Sequence, residues 1–395
     1  MKLINTRYIL FISLLTVLNI SCNSNNNNQQ NNNDIQDEDV ADDDIIPEET
    51  INFYYGADLS YVNEMEDCGA AYKNSNGTTL DVYDIFKNAG TNLVRVRLWH
   101  NPDWTNYSNY NDVKKSIQRA KSKGMKVLLD FHYSDTWADP SKQEIPSAWL
   151  NDINNTEALG NLLYDYTYET LNNLASLNLL PDMVQVGNEI NGMILQQGEL
   201  EWPIDWTRNS FLLNKGIKAV RDISEAHHTD LEVMLHIAQP ENGLWWFEQA
   251  IQNGVTDYDW IGLSYYPIWS EYSLENVHIP LTTLKETYNK KLMIVETAYP
   301  FTLNNGDSAN NILGSDALVN GYPASQQGQL DYLNQLRSII ENVGGQGLIY
   351  WEPAWVSTDC STIWAQGSHW DNATLFDNNN QATLGIQFYN NALND

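Results

Sequence analysis

Basic residues are scarce in this chain. Its 395 residues hold 21 Lys and Arg against 51 Asp and Glu, a formal net charge of −30. Nucleic-acid binding needs clustered Lys and Arg on phosphates, so that class is excluded. Like-charge repulsion also disfavours an anionic membrane surface or a polyuronate ligand. Long apolar runs are missing too. Tyr8 to Leu18 is apolar over 11 residues, too short to span a bilayer. Cysteine is down to three residues, Cys22, Cys68 and Cys360. Aromatics, in contrast, are plentiful: 11% of the chain, with 14 Trp and 22 Tyr. That is heavy for a core alone and points to a surface for flat, partly apolar ligands.

Residues 1–50 stand apart from the rest. Lys2 and Arg7 flank the short apolar run, and Ser21-Cys22 follows it. This reads as a secretory signal. It resembles a bacterial lipoprotein signal, which implies removal of residues 1–21 and lipid on the Cys22 thiol. Ordinary secretion with a stray Cys is the alternative. Residues 22–50 then form an Asn-rich, acidic tether that cannot bury enough apolar area to fold. Removing residues 1–50 takes nine acids and two bases from the 51 and 21, leaving 42 and 19, net −23. The acidity therefore belongs to the domain at 51–395.

Within that domain, short apolar runs alternate with amphipathic stretches. Strands are predicted over Phe53–Ser60, Leu93–Trp99, Lys126–His132, Met183–Glu189, Glu232–Ile237, Trp260–Tyr266, Leu292–Ala298 and Gly347–Glu352. Runs such as Val127-Leu128-Leu129 suit parallel strands covered on both faces. Helices are predicted over Thr79–Asn88, Asn111–Lys123, Leu159–Leu177, Asn209–Ala226, Trp245–Ile251, Leu281–Tyr288 and Ser325–Val343. The alternation argues for an α/β fold, a single closed (β/α)8 TIM barrel. A doubly wound sheet is the alternative, but no glycine-rich phosphate loop follows the first strand.

Strand after strand ends in a functional side chain, which is where a barrel gathers its chemistry. Two acids stand out. Glu189 ends the fourth predicted strand and Glu296 lies at the end of the seventh, each after an apolar run where an unpaired carboxylate is costly. A neutral-sugar hydrolase needs two such groups. They lie about 5 to 5.5 Å apart in a retaining enzyme and roughly 6.5 to 9.5 Å apart in an inverting one. A buried salt bridge with Arg95 or Arg97 is the structural alternative for either.

The chain resembles glycoside hydrolase family 53, the endo-β-1,4-galactanases. The likeness rests on Gly56-Ala57-Asp58-Leu59-Ser60, Val94-Arg95-Val96-Arg97-Leu98-Trp99, the run from Asp130 to Pro140, Gly187-Asn188-Glu189-Ile190, Ser264-Tyr265-Tyr266-Pro267, Val295-Glu296-Thr297 and Tyr350-Trp351-Glu352-Pro353-Ala354-Trp355. It implies that Glu189 is the general acid/base and Glu296 the nucleophile of a retaining enzyme acting on β-1,4-galactan. Asn188 would bind the sugar 2-OH, and His132, His236 and Tyr266 would position Glu296 and the sugar. Trp351 would form the floor under the sugar, with core filler as its alternative. Asp58, Arg95, Asp135 and Trp137 would bind or support substrate, and Asp139 is either one of these or a turn residue before Pro140. No organic cofactor is implied. A non-catalytic glycan-binding lipoprotein, or a β-mannanase or xylanase of the same clan, is the competing reading.

Bacterial members of this family often hold calcium between the loops after strands seven and eight. Here Asn305, Asp307, Asn311, Ser368 and Asp371 could supply oxygens, although Ala309 stands where the family has a His. Calcium accepts six to eight oxygens, so one lost ligand is tolerable. After Glu189, Gln196-Gln197 stands where the family often has Trp-Pro. Cys68 and Cys360 fall in loops after the first and last strands, neighbours once a barrel closes. Export favours their pairing, with two separate thiols as the alternative. The expected protein is a monomer, exported and lipid-anchored at the cell surface or on the periplasmic face of the outer membrane.

Overall fold

The computed structural model describes residues 52–393. The signal segment, Cys22 and the tether lie outside the described residues. Eight parallel strands close into a barrel in chain order: β1 (Tyr54–Asp58), β2 (Leu93–Leu98), β3 (Lys126–Phe131), β4 (Met183–Val186), β5 (Glu232–Ala238), β6 (Trp260–Ser264), β7 (Lys291–Thr297) and β8 (Gly347–Tyr350). The pairing of β1 with β8, Tyr54 opposite Gly347, seals the ring. The fold is the expected (β/α)8 barrel.

The outer helices are α1 (Val62–Asp67), α2 (Val82–Ala89), α3 (Tyr110–Ser122), α4 (Thr156–Ala175), α5 (Trp206–Ala226), α6 (Pro240–Gln252), α7 (His278–Tyr288) and α8 (Gln326–Asn342). Five of the eight starts follow side-chain caps. Asp81, Asn109, Asn155, Asp205 and Ser325 each accept a backbone N–H from the first turn, satisfying donors a helix leaves free. Helix α1 was not foreseen, because Val-Asn-Glu-Met-Glu-Asp is too short to show a helical period.

Most of the predicted strands run past their observed ends. Strand β4 stops at Val186 because Gly187 and Glu189 take positive φ, +88° and +45°. Glu352 does the same after β8, at +48°. Such backbone leaves the ladder and costs energy in a non-glycine residue, so it is held by surrounding contacts.

The barrel interior is layered. Leu93, Leu128, Met183, Met234, Trp260, Met293 and Ile349 fill its lower part. The next inward positions along the same strands, two residues on, are Arg95, Asp130, Gln185 and His236, all buried. Period-two alternation puts them directly above the apolar plug. Gly262 makes room in β6, since a Cβ there would sit 2.7 Å from the Met234 sulfur. A separate apolar layer packs between strands and helices.

Candidate active site

Arg95 is the hub of the polar layer. Its guanidinium donates to Asp58 Oδ2, Asp130 Oδ2 and Asn188 Oδ1, each at 2.8 Å, and to Gln185 Oε1 at 3.2 Å. It also lies 2.8 Å from Glu296 Oε1. A planar five-donor fork suits this role better than a lysine would. Asp130 is held below the usual carboxylate range, the Arg95 charge and the contact with His132 outweighing its burial. His132 Nε2 lies 3.1 Å from Asp130, and its Nδ1 accepts the Ala138 N–H, which fixes one tautomer. Burial lowers its pKa despite Asp130. Arg97 forms a second pair with buried Glu352 at 3.1 Å and lies 4.1 Å from the Trp137 ring centre.

The two candidate carboxyls differ in their partners. Glu189 accepts Ser264 Oγ–H at 2.6 Å and has no salt bridge among the described residues. Burial pushes it up to about 7, against the lowering effect of Ser264 and Arg95. Burial also pushes Glu296 well above the usual range, with Arg95 pulling back and Glu189, Asp58 and Asp130 adding to the rise. The pair therefore holds a proton near neutrality. The direct guanidinium contact assigns the charge to Glu296, because protonating it would leave that contact unanswered, while Glu189 loses none. Tyr266 Oη lies 3.5 Å from Glu296 Oε2. Ser264 pairs in register with Glu296 while bonding Glu189, so the two carboxyls converge on one spot.

That spot opens into a cleft of about 690 Å³, with six Trp and Tyr266 among its lining residues. Arg95, His132, Trp137, Asn188, Glu189, Tyr266, Glu296 and Trp351 reach it, as does Asp139. Asp139 also makes the turn before Pro140, accepting the Ser141 N–H and O–H. Asp58 and His236 do not line the cleft; both are fully buried beneath it. Asp135 lies to one side, where it takes the Asn101 and Ser147 N–H groups and faces His100. Sequence reasoning missed Trp269, Trp364 and Trp370 in the walls, and Ser264 and Gln185 below them. All but Gln185 lie in loops or at a strand end, where no apolar period flags them. A Trp-Pro pair does occur in the loop after β4, at Trp202-Pro203 rather than at Gln196-Gln197.

The five proposed calcium ligands converge and bond to protein donors. Asp371 Oδ2 accepts from the Gly306 and Asp307 N–H groups and from Ser357 Oγ, and its Oδ1 from Asn311 Nδ2. Asp307 accepts the Ala309 and Ser368 N–H groups. Asn305 Oδ1 accepts from Asn311, and Ser368 Oγ donates to the Trp355 carbonyl. Asp307 Oδ1 and Oδ2 and Asp371 Oδ1 take one donor each, which leaves each a further lone pair. Together with His369 Nδ1 on the Asn310 carbonyl and Asn372 Nδ2 on the Thr302 and Leu313 carbonyls, these bonds tie the two loops together. Cys68 and Cys360 form a disulfide, with Cα atoms 5.8 Å apart.

With this geometry in view, known proteins resemble the chain closely. The family model described as Glycosyl hydrolase family 53 matches residues 54–389. An arabinogalactan endo-beta-1,4-galactanase of Cellvibrio japonicus is 57% identical over 327 residues, 82% of this chain and 86% of that protein. An endo-beta-1,4-galactanase of Bacillus subtilis is 39% identical, over 77% and 71%. Among solved structures, the GH53 catalytic domain of Ignisphaera aggregans superposes with a TM-score of 0.78 at 34% identity, covering 87% of this chain and 97% of that one. A fungal beta-1,4-galactanase gives 0.73 at 31% identity, covering 85% and 98%.

Proposed function

This chain belongs to glycosyl hydrolase family 53, and on that premise we propose that it is an endo-β-1,4-galactanase. Its substrate is β-1,4-galactan, the neutral galactan of type I arabinogalactan in pectin. The asymmetry of the two carboxyls carries the reading. Glu189 is raised to about 7 with no cation of its own, while Glu296 touches Arg95 at 2.8 Å. One is suited to give a proton and the other to attack.

The reaction follows as a double displacement. Glu296 attacks the anomeric carbon as Glu189 protonates the departing glycosidic oxygen. Asn188, held by Arg95, takes the sugar 2-OH, a contact that tightens in the transition state. Water then attacks the same carbon, Glu189 accepts its proton, and the bond to Glu296 breaks with net retention. A barrel that only bound glycan would have no use for this pair.

Digestion of linear galactan tests the reading. Wild type should release galacto-oligosaccharides, and Glu189→Ala and Glu296→Ala should release essentially none. Full activity in either variant would sink the assignment. Proton NMR should show the β-anomer first, and an α-anomer would contradict retention.

We also propose export and anchoring by lipid on Cys22, on the strength of the sequence before it. Labelled fatty acid should enter the wild-type chain and not Cys22→Ala. Equal labelling of both would refute the anchor.

A further inference from the structure

We propose that Ser264, held by His236, is a positioning residue that fixes which oxygen of Glu189 carries the catalytic proton. The inference rests on the galactanase reading above and adds a residue to it. Ser264 is the last residue of β6 and fully buried. Its Oγ lies 2.6 Å from Glu189 Oε1 and 2.9 Å from His236 Nε2.

The direction of these bonds follows from the far side of the imidazole. His236 Nδ1 faces Gln185 Nε2 at 3.0 Å, the Glu189 backbone N–H at 3.4 Å and Asn188 Oδ1 at 2.9 Å. Asn188 Oδ1 already accepts from Arg95 at 2.8 Å and from Gln185 at 3.2 Å. Those two bonds use its lone pairs. A lone pair on Nδ1 answers the fixed Glu189 backbone N–H and shares with Asn188 Oδ1 the one Gln185 proton that Asp130 Oδ1, at 2.6 Å, does not take, whereas a proton on Nδ1 would oppose both donors. Burial and Arg95 hold His236 well below its usual range, so it is neutral. Its single proton therefore sits on Nε2 and is donated to Ser264 Oγ. The serine has one proton left to give, and it goes to Glu189 Oε1.

Oε1 is thus an acceptor in both charge states of Glu189. When the acid is neutral, its proton sits on Oε2, which has no protein partner among the described residues. Oε2 then serves both half-reactions. It gives its proton to the leaving oxygen, and later takes one from water. The positive φ of Glu189 brings the carboxyl to β6, and the serine bond stops the carboxyl from rotating. Other charges facing Glu189 are Asp139 and Asp130, which raise its pKa, and Arg95, which lowers it. Glu296 and Tyr266 also border it. Ser264 is the one neutral donor that acts on a single oxygen.

The test is kcat/KM against pH for wild type, Ser264→Ala and Ser264→Thr on two substrates. One is linear galactan. The other is a 2,4-dinitrophenyl β-1,4-galactobioside, whose leaving group departs without a proton. For that substrate kcat/KM ends at the glycosyl-enzyme and needs no acid. Losing a donor to the charged form raises a carboxyl pKa. The alkaline limb with galactan should therefore move up by about one pH unit in Ser264→Ala. Its kcat/KM on galactan should fall on the order of tenfold, within the range of acid–base effects. The dinitrophenyl substrate should change by less than about twofold. Ser264→Thr, which keeps the hydroxyl, should restore the profile. If its extra methyl lowers the melting temperature, the alanine variant decides alone. An unmoved limb with equal losses on both substrates overturns the inference. Failure of the parent reading looks different: wild type would release nothing from galactan, or Glu189→Ala would cut it at full rate.

Discussion

Replacing Glu189 by Gln should abolish galactan cleavage and stabilise the barrel, but only above the acid range. The folded carboxyl titrates at about 7, against 4.5 for an unperturbed glutamate. Below pH 4.5 it is protonated in folded and unfolded chains alike, and burial costs nothing in charge. As the pH rises from there to 7, the unfolded chain ionises while the folded one resists. Stability present at low pH is lost across that window and the loss is constant above it. At about 1.4 kcal/mol per unit, the gap corresponds to roughly 3 kcal/mol. Gln is neutral throughout and keeps an oxygen for Ser264 Oγ–H. It also removes a carboxylate that pushes Glu296 upward, an effect of the same sign. For a domain of this size about 2 °C accompanies each kcal/mol, so Glu189→Gln should melt roughly 5 °C above wild type at pH 8. At pH 4 the two should melt together. Calorimetry at pH 4, 6 and 8 with one scan rate measures this. A melting gap that does not change with pH would mean that Glu189 titrates normally, and its assignment as the acid would fall.

The disulfide spans 292 residues of sequence, so reducing it, or Cys68→Ser with Cys360→Ser, should cost up to about 5 kcal/mol on chain-entropy grounds; an unchanged denaturation midpoint would contradict this. Chelator should leave the melting temperature unmoved, because bonds from protein donors already hold Asp307 and Asp371, whereas Asp371→Ala should lower stability by about 2 to 4 kcal/mol. A chelator-induced drop in melting temperature would place calcium in the loops. Trp364 is 58% exposed on the cleft wall; Trp364→Ala should raise KM on galactan roughly three- to tenfold with little change in kcat, and a fall confined to kcat would contradict its role as a wall.

The barrel was legible in the sequence because its strands are continuous apolar runs and its helices carry polar caps. Glu189 and Glu296 were legible because each follows such a run and so violates it. The network beneath them was only partly so. Arg95 shows as a charge inside Leu93–Leu98, but Asp58 and His236 read equally well as groups touching substrate. Asp58 ends β1 and His236 lies within β5, both buried, and depth along a strand is not written in its apolar pattern. Ser264 shows in sequence only as part of the Ser264-Tyr265-Tyr266-Pro267 run, with no role of its own, since a buried serine matters through the partner it finds across the barrel. The salt-bridge alternative proved true of Glu296 with Arg95 and not of Glu189, so Arg95 is what tells the two acids apart. The proposed calcium ligands show the opposite limit: oxygen-bearing side chains at suitable spacing do not reveal which protein donors they also accept.

The charge balance of that buried layer connects the overall acidity to the substrate. Asp58, Asp130 and Glu296 surround a single guanidinium, Arg95, with Glu189 near it but not bridged to it. Arg97 is taken by Glu352, and burial keeps His132 and His236 in their neutral forms. With all four carboxylates ionised the layer would hold four negative charges against one positive. Taking up one proton relieves this, and Glu189, the member without a cation, is where it goes. Burial makes Glu189 the general acid first, and the surplus of neighbouring carboxylates adds to the rise of its pKa. The same surplus bears on what can enter. A uronate at this floor would bring a further carboxylate toward Glu296 with no free cation to meet it, in a site where charge interactions are screened least. A neutral galactosyl unit brings only hydroxyls and an apolar face for Trp351. The excess of acids seen first in composition thus acts at the catalytic floor as a filter for uncharged sugar.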